Sequence, residues 1–184
     1  MAIETPNYKV IKKSGRIEIR EYEPYLTASV YVDSDSYNSA GSYAFSALAD
    51  YIFGNNTKSG KIPMTAPVDT QMSEQIPMTA PVDTTKSKGQ YKVSFTMPSS
   101  YSLKTLPKPN NNDVIIEQVP KRKMATIIFS GYTSDGKVNK KLIELKKFLN
   151  ENKIKTYGEP ILSRFDSPLK PGFIRHNEIS LKIN

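Results

Sequence analysis

The sequence predicts an α+β protein: about eight strands forming a sheet or barrel, with two helices, built from two pseudo-symmetric ββαββ halves. The first reason is a gapless internal similarity at an offset of 97 residues. Ile17 and Ile19 align with Val114 and Ile116, and Ala28, Val30 and Val32 align with Ala125, Ile127 and Phe129. The second is that the same offset continues into a helical pattern, with Phe45, Leu48 and Ile52 mapping onto Leu142, Leu145 and Leu149. The third is composition. At 184 residues, 38% hydrophobic and 24% charged, the chain is long enough for a sizeable core and too apolar for general disorder.

In the first half, Ile17/Ile19 and Ala28/Val30/Val32 alternate with mostly polar residues, the period of a half-buried strand, with a break at Glu23-Pro24. Asp35-Ser36 caps a helix with Tyr37, Ala44, Leu48, Tyr51 and Ile52 on its apolar side, and Gly54 occupies a left-handed C′ position. Strands follow over 76–82 and 91–97. Residues 104–112, rich in Pro and Asn, connect the halves. In the second half, strands around 114–116 and 125–129 flank Pro120-Lys121-Arg122. Asp135 caps a helix with Val138, Leu142, Leu145 and Leu149 at spacings of 4, 3 and 4. Strands over 161–165 and 178–183 complete it. Neither half buries a helix and four strands well alone. Residues 1–184 are therefore read as a single domain, its halves spanning about 8–103 and 113–184. A separate near-verbatim repeat at 62–70 and 76–84 has two copies and two prolines in each, which excludes both a solenoid and a helix there.

Composition narrows the chemistry. There is no cysteine and one histidine, His176, so disulfides, thiolate nucleophiles, iron–sulfur clusters and His-rich metal centres are excluded. No nucleophile–base pair is positioned, phosphate-binding glycine loops are absent, and nothing fixes the distance between Asp69 and Asp83. An enzyme is not expected. The net charge of +8 lies entirely in residues 93–184, with 16 basic against 8 acidic residues, while residues 1–92 balance at 10 and 10. Solvated lysines explain this excess, and no specific nucleic-acid motif accompanies it. No stretch reaches the roughly 20 apolar residues of a membrane span. Residues 1–13 carry no secretory h-region, so a cytoplasmic protein is expected.

Six ordered blocks make the chain resemble the SOUL/haem-binding protein family along almost its whole length. They are Tyr8-Lys9-Val10 with Ile17-Glu18-Ile19-Arg20-Glu21-Tyr22; Leu48-Ala49-Asp50-Tyr51-Ile52-Phe53-Gly54-Asn55-Asn56; Met-Thr-Ala-Pro-Val at 64–68 and again at 78–82; Val93-Ser94-Phe95-Thr96-Met97-Pro98; Leu106-Pro107-Lys108-Pro109; and Arg175-His176-Asn177-Glu178-Ile179. The resemblance implies a distorted β-barrel flanked by two helices, built from two such halves, and a haem or other tetrapyrrole, b-type haem among them, held without catalysis for buffering or transport.

Haem requires an apolar slot, partners for two propionates and, usually, an axial ligand. The resemblance implies a hydrophobic groove, and its candidate lining is Ala44, Leu48 and Tyr51 with the methionine-bearing loops of Met64, Met72 and Met78, Lys58 and Lys61 being the candidates to meet the propionates. His176, a tyrosine or a methionine is left as side-chain ligand to iron, and binding without axial ligation is the alternative. Relatives of the fold that bind effectors suggest a second reading, in which a buried Glu178 faces a cationic small molecule. A third is an interaction protein with incidental haem binding and unknown protein partners.

Overall fold

The computed structural model describes residues 3–58, 73–167 and 169–184. In chain order the elements are β1 (Tyr8–Ser14), β2 (Ile17–Tyr22), β3 (Tyr25–Val32), α1 (Tyr37–Ile52), β4 (Asn56–Thr57), β5 (Val82–Ser87), β6 (Gln90–Thr96), β7 (Lys108–Pro109), β8 (Ile115–Val119), β9 (Arg122–Ser130), α2 (Asp135–Glu151), β10 (Thr156–Arg164), a 3-10 turn over Gly172–Ile174, and β11 (His176–Ile183). This is the expected α+β class: two helices against one large antiparallel sheet. Nine of the strands described form that sheet, in the order β1-β2-β9-β11-β10-β5-β6-β3-β8. β4 and β7 pair separately.

The sheet carries the internal repeat. Ile19 pairs with Ala125 and Ala28 pairs with Ile116, so each pair is the image of the other at the 97-residue offset. Val93 lies between Val30 and Thr84 as Ile179 lies between Ile127 and Leu162. Thr84 and Leu162, thereby equivalent, pair with each other. A pseudo-twofold axis therefore passes between β5 and β10. The helices obey it: α1 packs on β3 and β6, and α2 on their images β9 and β11. β1 lies outside the symmetry, at the edge beside β2, with a bulge between Val10 and Lys12.

Local rules explain the element ends. The Ser36 hydroxyl accepts the Ser39 N–H at 3.1 Å and starts α1. Gly54 follows the α1 C-cap Phe53 at φ 128°, as expected for a residue without Cβ. The N-cap of α2 is Ser134 rather than Asp135. Asp135 is the first helical residue, where its charge favours the positive end of the helix dipole. The strand expected at 76–82 begins instead at Val82. The two prolines in this stretch remove backbone donors, so ladder pairing starts only beyond Pro81. β5 turns into β6 through Lys88 and Gly89, both at positive φ, the backbone that a two-residue hairpin of the I′ kind requires.

Strand alternation gives the sheet two unlike faces. Ile17, Ile19, Ala28, Val30, Val93, Phe95, Ala125, Ile127, Leu162, Ile179 and Leu181 are buried in the core with Ala44, Leu48, Tyr51, Leu145 and Leu149 of the helices. The other face is polar, yet Ser29 and Thr126 on it are fully buried. Its hydroxyls pair symmetrically: Ser29 with Ser94 at 2.8 Å, and Thr126 with Ser180 at 2.7 Å.

Candidate functional site

The polar face holds a buried ion network. Arg20 on β2 is 1% exposed and surrounded by acceptors. Its Nη1 and Nη2 donate to Glu178 on β11 at 2.7 and 3.0 Å, its Nε donates to Glu18 at 2.8 Å, and Nη1 also donates to the Tyr22 hydroxyl at 3.0 Å. The Tyr8 ring covers the guanidinium at 4.3 Å. Burial works against the Arg20 charge, but the Glu178 hydrogen bonds and charge outweigh it, so Arg20 stays cationic. Burial likewise pushes the Glu178 carboxyl up, and the hydrogen bonds from His176 and Arg20 more than reverse this, holding it below its ordinary value.

The His176 Nε2 lies 2.8 Å from Glu178 Oε1, and its ring stands edge-on to Phe165 at 4.7 Å. Its backbone N–H donates to Asp166 at 2.6 Å. The sole histidine is therefore engaged through Nε2, leaving Nδ1 outside that contact. Among the described residues, no group of three or more His, Asp or Glu side chains converges as a metal site.

Three hollows meet beside this network, and Tyr25 lines all of them. The largest, about 410 Å³, lies between residues 4–7, the start of β3 and the segment after β6. Its apolar wall includes Pro6, Leu26, Met97, Tyr101 and Leu103, with Lys104 as a cation. A narrow hollow of about 30 Å³ contains Tyr8, Tyr22, Asp83, Phe165 and Glu178. The third, about 280 Å³, is lined by Tyr31, Lys92, Arg122 and Lys182, among others. Asp83 borders the last two. Ser163 donates to it at 2.5 Å, yet burial pushes its carboxyl up to about 6.

The structure separates the residues predicted from the sequence. Ala44 and Leu48 are fully buried and Tyr51 is 1% exposed, so they form core rather than an open groove. The Tyr51 hydroxyl is spent on the Pro107 carbonyl at 2.7 Å. The reason is the sheet: the helix face expected to meet a ligand is the face that covers the strands. Lys58 pairs with Glu74 at 3.5 Å, and Glu74 accepts a hydrogen bond from Tyr101 in the wall of the largest hollow. Met78 is exposed and precedes Thr79, whose hydroxyl donates to the Thr96 carbonyl of that same wall. Lys61, Met64, Met72 and Asp69 lie outside the described residues. Glu178 is buried as expected, but its counter-charge is Arg20. Sequence reading missed Arg20, Tyr25 and Arg122, and took Asp83 only as part of the repeat. Arg20 had a signal, because a lone arginine between Ile19 and Tyr22 in an alternating strand takes the face opposite to Ile19.

No helix described here is long and apolar enough to cross a membrane. The sheet-and-two-helix architecture matches the EcmrR C-terminal domain with a TM-score of 0.60 at 14% identity, covering 96% of this chain and 98% of that one. A hydrolase from Listeria innocua matches with a TM-score of 0.59 at 12% identity, over 95% of this chain and 94% of that one. At such identities the likeness concerns the fold alone. Heme-binding protein 2 of Homo sapiens is 32% identical over 98% of this chain and 86% of its own length. The Mus musculus protein of the same name is 30% identical over the same shares. The model of the SOUL heme-binding proteins matches residues 3–182, which makes this chain a member of the SOUL heme-binding protein family.

Proposed function

We propose that this protein is a cytoplasmic, non-enzymatic binder of haem or a related tetrapyrrole, serving as a buffer or carrier, with the ring seated in the 410 Å³ hollow. The observation that carries the reading is family membership over residues 3–182. The hollow supports it by chemistry. It falls in the size range of small-molecule sites, half of its lining residues are apolar or aromatic, and Lys104 offers a cation to a propionate. Lys58 is tied to its wall through Glu74 and Tyr101, and Met78 precedes Thr79, which bonds to Thr96 of that wall. Haem itself would bring iron-centred ligand chemistry. The residues around the hollow bind, orient and shield the ring, and none of those lining it is a histidine.

Hemin titration followed at the Soret band tests the reading. A saturable shift near one equivalent is expected. Leu103→Asp places a charge on the exposed rim and should weaken binding about tenfold or more, whereas His176→Ala should leave it unchanged. No saturable shift at micromolar hemin would overturn the function. An unaltered affinity in Leu103→Asp would overturn the placement. The cationic-effector reading is disfavoured by Arg20, which already occupies both Glu178 oxygens.

A further inference from the structure

We propose that the 280 Å³ hollow on the polar face is a second site, which binds a small oxyanion carried on an aromatic body, such as an aryl phosphate. It is independent of the tetrapyrrole reading. Arg122 at the start of β9 and Lys182 near the end of β11 line it, with Lys92 of β6 across from them. The Arg122 Nη2 donates to the Tyr25 hydroxyl at 2.6 Å, but its Nε–H is buried with no hydrogen-bond partner. The Arg122 side chain lines the hollow, and a planar guanidinium suits a carboxylate or phosphate oxygen. Lys182 is half-buried and, among the described residues, forms no ion pair. Its ammonium is held below the ordinary lysine value by burial and by the like charges of Arg122 and Lys92. Four cations, Lys86, Lys92, Arg122 and Lys182, thus crowd one cavity, and among the described residues only Lys92 has an ion-pair partner, Glu117.

The two acids in the wall, Asp83 and Glu159, offset this crowd in part and leave the cations in excess. Asp83 is engaged by Ser163 and forms no ion pair with Arg122, and Glu159 is exposed. Tyr25 and Tyr31 supply the aromatic part of the wall. Arg122 lies 5.7 Å from the Tyr25 ring centre and Lys92 5.7 Å from that of Tyr31, so a flat ligand body would meet rings already flanked by charge.

The test is an NMR titration of the full chain with phenyl phosphate and with inorganic phosphate, read at the Arg122 Nε–H resonance. A saturable shift is expected with phenyl phosphate, with inorganic phosphate binding more weakly. Lys182→Gln should weaken phenyl phosphate binding about tenfold or more, because it removes one charge-assisted bond. Lys147→Gln, on the exposed side of α2, should not weaken it. Lys182 holds no partner that its loss would strand, so the variant should fold, and thermal melting checks this. Absence of a saturable shift, or equal weakening by Lys147→Gln and Lys182→Gln, would overturn the site. Equal affinities for the two phosphates would overturn its aromatic half. Hemin binding should be the same in Lys182→Gln as in the parent, which keeps this outcome separate from that of the tetrapyrrole proposal.

Discussion

Arg20 and Glu178 hold each other's charge away from water, and removing either leaves the other uncompensated. Glu178→Gln is expected to destabilise the fold by about 3–5 kcal/mol, read as a lower denaturation midpoint. The pair also sets an acid limit. Because the Glu178 pKa is lowered on folding, its contribution is full above the ordinary carboxylate range and is lost as pH falls below 4.5 through the folded value. Asp83 has the opposite sign. Its folded pKa of about 6 lies above its ordinary 3.8, so the folded state takes up a proton first and stability falls as pH rises from 3.8 to 6. Asp83→Asn should therefore stabilise the protein above pH 6, by on the order of 1 kcal/mol since the residue is only half-buried, and should change little below pH 4. At this scale the sequence was only partly legible. Glu178 and His176 were found through a motif. Asp83 was seen only as half of a repeated segment, because its surroundings come from β2, β3, β9, β10 and β11, which no local pattern brings together.

At the scale of elements the reading from sequence was far better. Helix phase and strand phase repeat with one offset, and burial fixed both: Leu48 and Leu145 are images, and each is fully buried. Leu48→Ala and Leu145→Ala should each cost about 2–5 kcal/mol, with values close to one another, in urea denaturation. The helix starts differ. Ser36→Ala removes a real capping bond and should cost about 1 kcal/mol, whereas Ser134→Ala removes none and should cost close to nothing. The strand expected at 76–82, which begins only at Val82, and the unpredicted short β4–β7 pair share a cause. Both depend on prolines and on partners distant in sequence, where period-2 alternation carries no information. The same limit put the expected groove on α1. Periodicity identifies the apolar stripe of α1 but not whether a sheet or a ligand covers it.

For the whole molecule the governing feature is the axis between β5 and β10. It relates Ser29–Ser94 to Thr126–Ser180 without change of chemistry, but it relates Arg20–Glu178 to Glu117–Lys92 with the signs exchanged. Combining Lys92→Glu with Glu117→Lys should preserve the fold within about 1 kcal/mol, because this pair is partly exposed. Either substitution alone should cost more than the two together, and a double-mutant cycle measures the difference. The exchange of signs also bears on recognition. A compound with two identical ends, laid across the axis, would find matching hydroxyls but opposite charges at its two ends. A compound with unlike ends has one favoured way round and one opposed. The reversed ion pair thus gives a nearly symmetric surface a sense of direction.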